Sequence, residues 1–233
     1  MMGSIETGIW YDQMPNGAEY SISGIRLEMN DMGYVEDNSF IRIGFKNCRN
    51  LSNCGARVLM SNITTDSRAK LTVHGFDSCQ NLTNCIAEIQ AGGNKINGGK
   101  LEEAAGFYAC SNLVCCDTNM ISFYVAQSGY NLMAGFWDCE NLLNCEATKY
   151  STASAASGSA QAINGFYRCV KLTNCTGAGN GDYHSMAGFG AIGFSYCSYL
   201  SCCTGVKGAT QDQIWNQYTG ATTKRDDDSC MTS

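Results

Sequence analysis

The sequence predicts an all-β protein, a right-handed parallel β-solenoid (β-helix) of about six to seven coils. Three observations lead there. An eleven-residue phrase, G-F-x-x-C-x-x-L-x-x-C, is written six times, at Gly44–Cys54, Gly75–Cys85, Gly106–Cys116, Gly135–Cys145, Gly165–Cys175 and Gly193–Cys203. The copies start 31, 31, 29, 30 and 28 residues apart, and a near-fixed period of this size marks coils stacked one on the next. Within a copy the apolar anchors fall every third residue, as in Phe45, Cys48, Leu51 and Cys54. That is neither the period of two of a long strand nor the 3.6 of a helix, and it suits short strand pieces separated by bends. The third observation is compositional: 26 glycines, 15% charged residues and abundant Ser, Thr and Asn argue against a helical bundle.

Taken in order, residues 1–43 carry no copy of the phrase and are read as an N-terminal cap, an irregular first coil or an attachment segment. Within them Ile22–Leu27 (Ile-Ser-Gly-Ile-Arg-Leu) alternates and is expected to form a strand. Residues 44–207 form the six-coil repeat solenoid. After each final Cys several copies alternate, as in Cys54, Ala56, Val58 and Cys85, Ala87, Ile89, Ala91, so these residues are expected to line the core. Before the Gly anchor, Leu71 and Val73, Leu132 and Ala134, and Ile163 are assigned to the same lining. The stretches Ala91–Lys100 and Ser151–Gln161, rich in Gly, Ser, Ala and Asn, are expected to be outer loops. Asn50, Asn81, Asn112 and Asn141 precede the Leu anchor, and Asn53, Asn84, Asn144 and Asn174 precede the final Cys. Stacked at bends, they are expected to hydrogen-bond backbone groups of the neighbouring coil, with interruptions at Cys115 and Cys202. Gly188-Phe189 offers a rival register in the last copy, but only Gly193-Phe194 has the Cys at the right distance. Residues 208–233 leave the pattern: Trp215 and Tyr218 are assigned to a C-terminal cap, and Asp226–Asp228 to a polar tail.

Twelve of the fifteen cysteines are phrase anchors. Stacked coils bring equivalent residues roughly 4.8 Å apart, which also permits disulfides between coils. The favoured reading is a buried free thiol filling an inward position of constant size. In the pairs Cys115-Cys116 and Cys202-Cys203 the two side chains of a strand cannot both face inward. Free thiols imply assembly in a reducing cytoplasm, and Met1-Met2-Gly3-Ser4 leads into no apolar segment, so no signal peptide is expected.

The phrase also carries a resemblance. Gly-Phe-Tyr-Arg-Cys-Val-Lys-Leu-Thr-Asn-Cys-Thr-Gly (165–177) resembles the Cys-rich repeats of tail-fibre and tailspike-like proteins of phages and prophages of gut anaerobic bacteria. The ending Lys-Arg-Asp-Asp-Asp-Ser-Cys (224–230) is similar to the ends of such proteins. The resemblance covers about residues 44–233. It implies a fibrous, homotrimeric receptor-binding (adhesin) part of a virion tail that recognises a bacterial surface glycan or protein. A leucine-rich-repeat-like solenoid is the alternative fold: bacterial surface repeats of the A-F-x-x-C-x-x-L type share the Phe, Cys and Leu spacing. Their unit is shorter, about 23 residues, and carries a proline, features this repeat lacks.

The candidate contact residues are the first variable positions after Phe: Lys46, Asp77, Tyr108, Trp137, Tyr167 and Ser195. If Phe faces inward, its neighbour faces outward, so Tyr108, Trp137 and Tyr167 are expected to make an exposed aromatic stripe about 10 Å long. Aromatic faces stack on sugar rings, which suggests a glycan or receptor contact; packing against an outer loop or a neighbouring subunit is the plainer alternative. For an alternative polysaccharide-degrading activity, Asp138, Glu140, Glu102 and Glu103 are the acids that adjacent coils would bring near one another, although their spacing does not set them apart from surface charge. His74 is assigned to a coil surface rather than to a general base. A structural filament subunit is the third alternative. No catalytic residue, metal ligand or cofactor is assigned. A net charge of −6 and pI of 4.9 make nucleic acid a poor partner, and no stretch is apolar and long enough to insert in a membrane.

Overall fold

The computed structural model describes residues 7–12, 22–23, 26–35, 39–65, 70–91, 100–122, 131–152, 161–178, 189–206, 215–216 and 224–225. The six copies of the phrase all lie within these segments. So do Leu71, Leu101, Leu132 and Ile163 as strand residues, whereas most of the two outer loops, His184, Tyr218 and Asp226–Asp228 lie outside them.

The described residues form three parallel sheets of eight, seven and eight strands, with no helix among them. Each copy visits every sheet once. The second copy runs through Lys70–Asp77, Gln80–Thr83 and Ile86–Ala91, one strand in each sheet. The third copy pairs with it in parallel, setting Phe76 beside Phe107, Leu82 beside Leu113 and Ile86 beside Asp117. This is a parallel β-solenoid, and with three sheets and no described helix it is not the leucine-rich-repeat arrangement of strand plus helix.

The three-residue period has a backbone cause. In every copy, the residues preceding Cys, Leu and Cys hold φ between 50° and 58°, the left-handed region. Two extended residues and one left-handed residue turn the chain just enough to return the next side chain to the interior. Hydrogen bonding continues through these bends: the Asn50 N–H donates to the Gln80 carbonyl (3.0 Å), and the Gln80 N–H to the Cys48 carbonyl (2.9 Å). A left-handed residue with a Cβ costs roughly 1–2 kcal/mol, and Asn tolerates it best. Asn47, Asn50 and Asn53 fill all three bends of the first copy.

The interior is a set of columns. Phe45, Phe76, Phe107, Phe136, Phe166 and Phe194 stack with centroids 4.7–4.9 Å apart and planes within 6°. The Leu anchors and both Cys anchors of each copy join the same core. The twelve anchor cysteines are free, buried thiols, as favoured from the sequence. From the second copy on, the thiol lies within reach of a carbonyl of the preceding coil, as in Cys110 Sγ to the Phe76 carbonyl at 3.6 Å. Burial pushes the thiols of Cys110, Cys169 and Cys175 above their ordinary pKa, holding them neutral. Within the doublets Cys115 is exposed and Cys116 buried, while Cys202 is disulfide-bonded and Cys203 buried.

At the Gly anchor the first and third sheets leave no room for a side chain. A Cβ on Gly75 would sit 2.7 Å from the Gly106 carbonyl oxygen and 2.9 Å from Ala87 Cβ. Ala56 and Val58, and Ala87 and Ile89, line the core as expected. The residues before Gly divide differently from the expected grouping. Counted back from the anchor, Val73 lies in register with Ala104 and Met133, whereas Ala134 shares a row with Ala105 and His74.

Two expectations are corrected. Ile22–Leu27 is not one strand: Ile22–Ser23 belongs to the second sheet and Arg26–Val35 to the third. Its register explains this, because Ile22 pairs with Leu51 and Arg26 with Gly55, so the segment turns where the phrase turns. Tyr11 likewise pairs with Phe45, and at the far end Trp215 pairs with Phe194. The side-chain amides of the bend asparagines, expected to reach the neighbouring backbone, bond one another in the column before Leu. Asn81, Asn112 and Asn141 each donate from Nδ2 to Oδ1 of the preceding Asn, at 2.9, 3.0 and 3.1 Å. A short amide on a left-handed bend points along the stack, where its nearest acceptor is the identical amide one coil away.

Candidate functional site

The outward row that follows Phe is set by parallel register: Asp77 beside Tyr108, Tyr108 beside Trp137, Trp137 beside Tyr167. The position after the buried Phe is not uniformly outward, since Asp77 and Ser195 are buried there, but the three rings are brought together on one face of the first sheet. Tyr108 and Trp137 meet edge to face at 5.8 Å, and Trp137 and Tyr167 at 5.2 Å. The rings are half-buried rather than free in solvent, since each leans on its neighbour one rung away.

The row is longer than the three residues the sequence singles out. At one end Tyr108 stacks on His74 with centroids 4.3 Å apart. At the other, Tyr167 meets Tyr196 edge to face at 5.6 Å, and Tyr196 is 49% exposed. Reading only the first position after Phe misses Tyr196, because in the last copy that position is Ser195 and the ring comes from the following bend.

His74 is the electrostatic centre of the N-terminal end. It is 3% exposed, with Nδ1 3.0 Å from Asp77 Oδ2 and Nε2 3.1 Å from Glu103 Oε1. The Ser78 hydroxyl donates to the other Asp77 oxygen at 2.7 Å. Burial alone pulls His74 toward neutrality, but the bonds to Asp77 and Glu103 outweigh it and raise its pKa. The imidazolium, donating from both nitrogens, is the form that satisfies both carboxylates. Asp77 is raised by burial but, held by His74 and Ser78, ends below its ordinary value. With both ring nitrogens engaged, His74 ties one coil to the next and has no free base position.

The described acids considered for hydrolysis are each paired with a cation. Asp138 pairs with Arg168 at 3.1 Å, Glu140 with Lys171 at 2.8 Å, and Glu103 with His74; the side chain of Glu102 lies outside the described residues. Burial raises Asp138 while Arg168 opposes it, and burial with the nearby carboxylates raises Tyr108. Among the described residues no group of three or more His, Cys, Asp or Glu is placed to hold a metal ion, and no helix is long and apolar enough to cross a membrane.

A separate groove of about 600 Å³ opens between the second and third sheets of the first two copies, lined by Asn53, Gly55, Arg57, Asn84, Ile86 and Glu88. Arg57 and Glu88 face each other there at 3.2 Å, so its charges are satisfied internally. No protein-family model matches the chain, and no curated protein sequence matches it.

Proposed function

We propose that this chain is a receptor-binding adhesin of the phage or prophage tail-fibre kind, recognising a bacterial surface glycan or protein through Tyr108, Trp137 and Tyr167. One observation carries the proposal: three half-buried aromatic rings in consecutive copies lie together along one face, at a position where residue type varies from copy to copy. The repeat needs Gly, Phe, Cys, Leu and Cys; elsewhere in the same row it accepts Lys46, Asp77 and Ser195. Aromatic side chains offer broad apolar faces with polar handles, which suits sugar rings. The resemblance of the repeat to tail-fibre sequences supplies the setting: a homotrimer assembled in the cytoplasm and carried on the virion tail.

Binding is the function favoured over polysaccharide cleavage, because Glu103, Asp138 and Glu140 are each engaged by a cationic partner. Labelled protein applied to host cells and to polysaccharide extracted from them tests the proposal. The wild type is expected to be retained, and Trp137→Ala to be retained about tenfold less. Retention unchanged by Trp137→Ala refutes the aromatic row as the contact. Release of reducing sugar by the wild type would show an enzyme instead.

A further inference from the structure

The bends of the last copy hold residues that the backbone does not favour. In the column before the Leu anchor, φ is 56–58° at Asn50, Asn81, Asn112, Asn141, Lys171 and Tyr199. Asn occupies the first four, where it tolerates the conformation and bonds along the column. Tyr199 is the outlier: a bulky aromatic residue in left-handed backbone, with nothing gained by burial, since it is 59% exposed. Tyr196, at φ 55°, repeats the situation one bend earlier and is 49% exposed. Strained positions that neither fill a core nor close a turn more comfortably are where a fold accommodates function at the expense of stability.

Their surroundings narrow the ligand. Tyr196 touches Tyr167 and so continues the outer row past its last rung, while Tyr199 stands one bend further along the same copy. Among the described side chains the cations beside them are paired, Arg168 with Asp138 and Lys171 with Glu140. Recognition of a sulfated or carboxylated chain calls for cations free to bind it. Exposed rings between cancelled charges suit a neutral, hydroxyl-rich chain, which presents apolar ring faces and hydrogen-bonding edges.

We infer that Tyr196 and Tyr199 form a second aromatic contact, around the bend from the Tyr108–Trp137–Tyr167 row, for a neutral carbohydrate chain. The inference rests on the glycan side of the proposed function. Four neutral hexasaccharides (cellohexaose, laminarihexaose, maltohexaose and chitohexaose) are the probes, titrated against the full chain and against Tyr199→Asn, Tyr196→Asn, Tyr199→Phe and Trp137→Ala. Tyr199→Asn is expected to melt about 2–4 °C higher, because Asn relieves the bend, and to bind about three- to tenfold more weakly. Tyr196→Asn is expected to weaken binding similarly, and Tyr199→Phe, which keeps the ring, to bind as the wild type does. Gain in stability with loss of binding is a pairing that a structural tyrosine would not show. Binding unchanged in both Asn variants but lost in Trp137→Ala overturns the inference and leaves the row standing. A lower melting temperature for Tyr199→Asn, or dissociation of an oligomer by either Asn variant, overturns it by making the tyrosines structural or subunit contacts. Failure of the wild type to bind any of the four overturns it together with glycan recognition.

Discussion

The first and last copies of the phrase share every anchor and differ at every bend. Gly44–Cys54 places Asn47, Asn50 and Asn53 in left-handed backbone, whereas Gly193–Cys203 places Tyr196, Tyr199 and Cys202 there, at nearly the same φ. The interior is indifferent to the change: Phe45 and Phe194 are both buried in the same column. Stacking therefore fixes the bend geometry whether or not the local residue prefers it. One end of the rod spends its bends on stability and the other presents large side chains to solvent.

The largest losses are expected at what the copies share. Phe76→Ala and Phe166→Ala are each expected to destabilise the protein by about 3–5 kcal/mol, by similar amounts near either end, as read from chemical denaturation. A large disparity would mean that the column is not uniformly packed. Gly75→Ala follows at about 1–3 kcal/mol, since the atoms its Cβ meets include a carbonyl of the next coil, which cannot swing away. Asn81→Ala is expected to cost about 1–2 kcal/mol, by losing two amide bonds and leaving an alanine in left-handed backbone. That is the opposite sign to Tyr199→Asn, and equal signs would remove the distinction between the two ends.

How much of this was legible in the sequence follows from what each residue depends on. Anchors every third residue, with Ala and Val alternating after the last Cys, were enough to indicate a coiled all-β stack with a buried lining. The left-handed cause of the period was only hinted at by Asn, because Ala109, Arg168 and Lys171 adopt the same φ under the pull of neighbouring coils. The first rung was hidden because Tyr11 and Ile22 take the Phe and Leu places eleven residues apart instead of six. At the site, Tyr108, Trp137 and Tyr167 could be read from position alone. Tyr196 and the Asp77–His74–Glu103 cluster could not, since they depend on which side chain leans across a rung.

The His74 cluster is expected to have a smaller effect, confined to the second and third copies. Its raised pKa means that its contribution is fully present below about pH 6.5 and is lost as pH rises through the folded value. Asp77, held low, contributes above about pH 4 and loses its contribution on acidification through its own folded value. Unfolding free energy is therefore expected to decline as pH rises above about 6.5 in the wild type, and to decline less in His74→Gln. A parallel decline in both would place the proton elsewhere. Above about pH 8.5 a further fall is expected in both, because thiols kept neutral by burial ionise once unfolded.

The fold divides anchors that face inward from intervening residues left for contact. Alkylation of cysteine thiols, located by mass spectrometry in native and in denatured protein, tests that division without knowledge of any ligand. Among the described residues Cys115 is expected to react in the native protein, while Cys48, Cys54 and the other ten anchor thiols react only after unfolding. Native labelling of anchor thiols as fast as Cys115, or their failure to react even when unfolded because they are bridged, would contradict it.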